Sequence, residues 1–123
     1  MSSMKKQVYI VDDDESICRS LKFLVATYGF AVRTFPSAED FFSAVPNGAP
    51  GCLILDINLS GINGWEAQQR LIQKGSNRPV FLMTADRSDG LKERALKGGA
   101  LGFFQKPIDK QELVHRIHQA VSM

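Results

Sequence analysis

Leu53 to Gly64 reads LILDINLSGING, an apolar run that stops on an aspartate before it reaches turn residues. Residues 8–16, VYIVDDDES, repeat the pattern with three aspartates in a row. A short run that is apolar at every position is what a strand covered on both faces of a sheet looks like. A carboxylate ending such a run needs a further reason, because burial and mutual repulsion both penalise its charge.

Apolar runs of strand length recur at 8–11, 31–35, 52–55, 80–83 and 101–104, four of them continuously apolar or nearly so, and the segments between them carry helical periodicity. Ile17, Leu21, Leu24, Val25 and Tyr28 mark the buried face of a first helix, which Gly29 stops. Leu113, Val114, Ile117 and Val121 form a similar stripe near the end. Asp109 and Glu112 fit a capping box opening that last helix, and Ser37 with Asp40 a weaker one. Pro79 separates the third helix from the fourth strand. Strand–helix alternation with crossovers of this length favours right-handed parallel pairing, with helices on both faces of one sheet. The run AVRTF, with Arg33 and Thr34 among its apolar residues, is the expected edge strand.

The 123 residues suit one domain, and no linker, repeat or low-complexity stretch divides them. A net charge of +2 with 15 scattered basic residues argues against direct nucleic-acid binding. No apolar run approaches the ~18 residues of a membrane span, and MSSMKKQ lacks the apolar segment of a signal peptide. A cytoplasmic location is therefore expected. Cys18 and Cys52 lack CxxC spacing and read as free, buried thiols.

The residues after each strand carry the chemistry. Asp12 and Asp13 follow Val11, Asp56 follows Leu55, Thr84 follows Met83, and Lys106 follows Gln105. In an open parallel sheet the carboxyl ends of the strands share one edge, where ligands bind, so these residues converge. A hard divalent cation with oxygen ligands would relieve the repulsion among the carboxylates. Lys106 adds a mobile positive charge and Thr84 a hydroxyl donor. A carboxylate nucleophile with such groups around it has the parts that phosphoryl transfer requires.

The motifs IVDDDES, LILDINLSGINGWE, FLMTAD and FFQKPID, in this order and spacing, resemble the receiver domain of two-component response regulators over about residues 7–121. The resemblance implies an α/β, flavodoxin-like fold: a five-stranded parallel sheet in the order 2-1-3-4-5 with five helices. It implies that Asp56 accepts a phosphoryl group from a phosphohistidine on a sensor histidine kinase. Mg²⁺ (or Mn²⁺) would be held by Asp12, Asp13, Asp56 and the backbone carbonyl of Asn58. Thr84 and Lys106 would contact the phosphoryl oxygens, Lys106–Pro107 would be cis, and Phe103 would act with Thr84 as the switch pair. Asn58 and Asp86, each two residues beyond a site residue, would tune the lifetime of the phosphoryl group. The implied partners are the kinase, an output domain or effector on the face of the fourth helix, fifth strand and fifth helix, and a second copy in a phosphorylation-dependent homodimer. Neither nucleic acid nor membrane is implied, and the protein is a phosphoacceptor switch rather than an enzyme. VRTFPSAEDFF points to regulators of the nitrogen-fixation type.

Two positions depart from the family pattern. Ser60 replaces a customary proline, and Gly98–Gly99 replaces Ala-Gly, which is expected to shorten the fourth helix. Simpler readings cover other polar and aromatic residues. Asp14 suits a helix N-cap, His115 and His118 an exposed helix face, Phe104 the core, and Trp65 partial packing. Arg87, Lys92, Arg94 and Lys97 give the fourth helix a basic side, either solvated or facing a partner. An aspartate-nucleophile phosphatase would carry a second Asp where this chain has Asn58. A flavodoxin would carry a Ser/Thr/Gly-rich loop after the first strand instead of carboxylates.

Overall fold

A strand followed by a helix, repeated five times, accounts for residues 5–121, which the computed structural model describes. The elements are β1 (Gln7–Val11), α1 (Glu15–Thr27), β2 (Ala31–Phe35), α2 (Ala38–Ala44), β3 (Cys52–Asp56), α3 (Gly64–Gln73), β4 (Val80–Thr84), α4 (Leu91–Lys97), β5 (Gly102–Gln105) and α5 (Lys110–Val121). The strands form one parallel sheet in the order β2-β1-β3-β4-β5, as expected. In register, Val11 pairs with Leu55, Asp56 with Met83, and Thr84 with Gln105. The strands of the centre therefore end level with one another, and the residues that follow share one edge.

Alternation of side chains along the strands splits the core in two. Tyr9, Val11, Leu53, Leu55 and Leu82 pack on one face with Phe41, Ala67, Leu71 and Ala95 from α2, α3 and α4. Val8, Ile10, Ile54, Phe81 and Met83 pack on the other with Leu21 and Val25 of α1 and Leu113 and Ile117 of α5. Every residue of β3 and β4 is buried, which explains why those runs are continuously apolar up to their polar last residue. β2 is an edge strand, with Arg33 exposed and its guanidinium 5.2 Å from the centre of the Phe35 ring.

Helix ends follow local chemistry. Asp14 caps α1 by accepting from the backbone N–H groups of Ser16 and Ile17 at 2.9 and 3.3 Å. Ser37 caps α2 through Asp40 N–H at 3.0 Å, and Asp109 accepts from Glu112 N–H at 3.1 Å ahead of α5. No return bond from the Asp40 or Glu112 carboxylate forms among the described residues, so each expected box is half made. Gly29, with φ of +94°, follows α1 as the expected stop.

Four expectations are corrected in detail. Tyr28 is off the buried face of α1, 52% exposed at the helix C-cap, and Cys18 joins Leu21 and Val25 on that face. The last strand begins at Gly102, because Leu101 is exposed and precedes it. β1, β3 and β4 each run one residue beyond the expected ends. Arg87 lies in the loop before α4 rather than on the helix. The helix α4 is short, seven residues with Gly98 at its C-cap. A Cβ on Gly98 would fall 2.4 Å from Gln68 Oε1, so this departure serves packing between α3 and α4. No described helix is long and apolar enough to cross a membrane.

Candidate functional site

Asp12 follows β1, with its backbone N–H donating to Phe35 O at 3.1 Å, and its side chain is buried. One carboxylate oxygen, Oδ1, accepts from Asp14 N–H at 2.9 Å; the other, Oδ2, accepts from Lys106 Nζ at 2.7 Å. Asp56, also buried, ends β3. Its Oδ1 accepts from Asn58 N–H at 3.1 Å and its Oδ2 from Lys106 Nζ at 3.3 Å. Asp13 is exposed, and its Oδ2 accepts from Ser60 Oγ at 3.5 Å. Oxygens from all three aspartates lie within 4.8 Å of one another. An all-oxygen, carboxylate-rich set of this size suits a hard cation, so these residues fit a divalent metal ion.

Close approach of the chain makes this geometry possible. A Cβ on Gly64, at the start of α3, would fall 2.6 Å from Ile57 Cα and 2.7 Å from Asp56 O. Only glycine lets α3 begin so near the end of β3.

Lys106 stands just past β5. Its backbone N–H donates to Thr84 O at 2.8 Å, its bond to Pro107 is cis, and its side chain is only 15% exposed. Burial opposes its charge, but the hydrogen bonds and charges of Asp12 and Asp56 outweigh that and raise its pKa above 10.5. Burial is also the largest influence on Asp12. It pushes that carboxyl above 3.8 despite the opposing bond from Lys106.

Thr84 ends β4 fully buried. Its Oγ1 accepts from Asp86 N–H at 3.0 Å and donates to Asn58 Oδ1 at 2.5 Å. Asp86 is exposed, and its Oδ1 accepts from Ser88 Oγ at 2.6 Å and Ser88 N–H at 2.9 Å, which lowers its pKa. Phe103 lies half-buried in β5 beside Leu82, while Phe104 is core.

Asp12, Asp56 and Lys106 are thus in direct contact, and Asp13 completes the oxygen cluster. Thr84 joins this group indirectly, through Asn58. Asp86 meets Thr84 through its backbone N–H, but neither the Asp86 carboxylate nor Phe103 makes a hydrogen bond to Asp12, Asp56 or Lys106 among the described residues. Lys92, Arg94 and Lys97 are exposed on α4, and the Arg94 guanidinium lies 4.1 Å from the centre of the half-buried Trp65 ring. His115 and His118 are exposed, the latter with its ring 4.8 Å from that of Phe30. They belong to no cluster of three metal-binding side chains among the described residues. Cys18 and Cys52 are free and buried, as expected.

Sequence reasoning passed over two glutamines. Gln105 donates from Nε2 to Thr84 O at 3.1 Å and to Asp86 O at 3.2 Å, tying β5 to the loop after β4. Gln68, buried on α3, donates to Ala95 O of α4 at 2.9 Å. Gln68 sits one helical turn before Leu71 on the apolar stripe, a polar residue where burial is expected, which is the signal that could have found it.

Comparison with known proteins adds a family. The model of the response regulator receiver domain matches residues 8–118. The chain is similar to the response regulator protein TmoT of Ectopseudomonas mendocina, 32% identical over 123 residues that make up 100% of this chain and 56% of that protein. It is similar to the transcriptional regulatory protein FixJ of Bradyrhizobium diazoefficiens, 33% identical over 117 residues, 95% of this chain and 57% of FixJ. Among solved structures, the response regulator StyR superposes with a TM-score of 0.89 at 34% identity, over 97% of this chain and 60% of that one. FixJ-N superposes with a TM-score of 0.87 at 30% identity, over 98% and 96%. The chain spans about half the length of the curated relatives it matches.

Proposed function

Because the chain belongs to the family of response regulator receiver domains, we propose that Asp56 accepts a phosphoryl group from the phosphohistidine of a sensor histidine kinase. The modified domain then changes the surface that an output domain or effector reads. The observation that carries this reading is the buried Asp56 carboxylate at a strand end, with the Lys106 ammonium 3.3 Å from Oδ2 and two further aspartates beside it.

An Asp56 oxygen attacks phosphorus, the new O–P bond forms as the P–N bond breaks, and the imidazole leaves with the electron pair of that bond. A Mg²⁺ (or Mn²⁺) ion held by Asp12, Asp13, Asp56 and the Asn58 carbonyl would neutralise charge on the transferring group. Lys106 follows the phosphoryl oxygens, moving less than a side-chain length from its resting place between Asp12 and Asp56. Thr84 donates its hydroxyl to a second phosphoryl oxygen, and Phe103 turns inward behind it. Asn58 and Asp86 flank the path of the water that later hydrolyses the aspartyl-phosphate. The surface that responds is the α4–β5–α5 face, where an output domain, an effector or a second copy of the phosphorylated chain binds. In this reading the protein is cytoplasmic, and it is a switch of the FixJ kind rather than an enzyme with turnover.

Incubation with a small acyl-phosphate donor separates this reading from a phosphatase. A receiver accumulates one base- and hydroxylamine-labile aspartyl-phosphate per chain, whereas a phosphatase consumes donor continuously without accumulating product on the protein.

A further inference from the structure

We infer that the side chain of Asn58 holds the Thr84 hydroxyl in the unmodified protein, so that switching must break this bond before Thr84 can reach a phosphoryl oxygen. The inference rests on the phosphoacceptor reading of Asp56.

A threonine hydroxyl has a single proton to donate. In Thr84 the oxygen accepts from Asp86 N–H at 3.0 Å, and the proton goes to Asn58 Oδ1 at 2.5 Å. The hydroxyl is thus committed on both sides, and no proton is free for a new acceptor. Asn58 also donates its backbone N–H to Asp56 Oδ1 at 3.1 Å. One residue therefore touches the acceptor carboxylate with its main chain and the switch hydroxyl with its side chain.

The two ends of the Asn58–Thr84 bond differ in what they lose when it breaks. Thr84 is buried and needs a replacement partner, which a phosphoryl oxygen on Asp56 supplies. Asn58 is exposed, so its freed amide is taken up by water at little cost. The bond is strong enough to set the resting state and weak enough for a charged oxygen to displace it, since hydrogen bonds to ionised acceptors are the stronger kind. Asn58 is a positioning residue in this scheme, acting through Thr84.

Beryllofluoride, a phosphoryl mimic that is not hydrolysed, tests this without interference from the water that limits phosphate lifetime. Binding is titrated in Mg²⁺ buffer, with the bound fraction read by fluorine NMR. No described non-glycine residue has a positive φ, so alanine suits the Asn58 backbone. Asn58→Ala should bind beryllofluoride about fivefold more tightly than wild type, equivalent to ~1 kcal/mol. The same substitution should have no effect in a Thr84→Val background and should regain its effect in Thr84→Ser. Equal tightening with and without the hydroxyl, or no tightening in the wild-type background, overturns the inference. Asp56→Asn separates the two ideas. Retained binding there overturns the phosphoacceptor reading and this inference with it, whereas lost binding there beside an unaltered Asn58→Ala affinity overturns this inference alone.

Discussion

The Lys106 ammonium lies closer to Asp12 than to the candidate acceptor, 2.7 Å from Asp12 Oδ2 against 3.3 Å from Asp56 Oδ2. The resting lysine thus offsets a neighbouring buried charge and is already within reach of the atom where a phosphoryl group would arrive.

Removing that lysine should therefore cost stability as well as chemistry. Lys106→Met leaves two buried carboxylates without their cation, and the loss should be about 1–3 kcal/mol in chelator at neutral pH, read by urea unfolding. Because the folded pKa of Lys106 is raised above 10.5, its contribution is present below that value and is lost as pH rises through the raised one. The gap between variant and wild type should hold from neutral pH to mildly alkaline pH and close only beyond. A gap that closes well below that range assigns the effect to another group.

Substitution of the buried carboxylate should act in the opposite direction. Asp12 has a pKa raised above 3.8, chiefly by burial, so the cost of its ionisation builds as pH rises above the ordinary carboxylate value and is complete above the folded one. Asp12→Asn, which can still accept from Asp14 N–H, should melt a few degrees higher than wild type in chelator at neutral pH, or roughly 1 kcal/mol. The advantage should vanish below the ordinary carboxylate range, where wild-type Asp12 is protonated too. Asp13→Ala should weaken Mg²⁺ binding and also raise the chelator melting point, but by less, because Asp13 is exposed. A lower melting point for either variant contradicts the account of repulsion.

The lifetime of the phosphoryl group should depend on Asn58 and Asp86. Both are short, polar and exposed, so neither shields the approach of water. Ser88 fixes the orientation of Asp86 through Oδ1. Replacing Asn58 by Met and Asp86 by Leu should slow phosphate loss about tenfold, or ~1.4 kcal/mol in barrier. Release is followed after donor removal, in Mg²⁺ buffer without kinase. Equal decay in the double variant and wild type would show that these positions do not gate the water.

The cysteines should be inert in the folded protein. Burial pushes the thiol of Cys18 up to about 11 and that of Cys52 up to about 12. Neither should react with a thiol-specific disulfide reagent at pH 8 on the timescale of minutes, while both react in denaturant. Rapid stoichiometric labelling of the native protein would show that these residues are reached by solvent.

The central place of β3 and β4 was legible because each is apolar up to a polar last residue, a pattern that only a doubly covered strand needs, whereas the strand order came from the family resemblance. The same pattern puts Asp12, Asp56 and Lys106 at one edge of the sheet, where they are in contact. What escaped the sequence was side-chain partnering that no periodicity encodes. Thr84 was legible as a hydroxyl at a strand end, but its bond to Asn58 depends on how the loop after β3 folds back over β4. The bonds of Gln105 to the carbonyls of Thr84, at the end of β4, and of Asp86, in the loop beyond, depend likewise on side-chain reach across strands. Tyr28 was misplaced because one helical stripe was extended a turn too far, to a residue where the chain already leaves the helix.

Whether Asp56 is the phosphoacceptor is read from the mass of the intact protein. Wild type and Asp56→Asn are incubated with a small acyl-phosphate donor and Mg²⁺, with cooperative unfolding of the variant verified in parallel. The account predicts one added phosphoryl group on wild type and none on a folded Asp56→Asn, since an amide of the same shape is a poor nucleophile. Phosphate on the variant at the wild-type stoichiometry would contradict it.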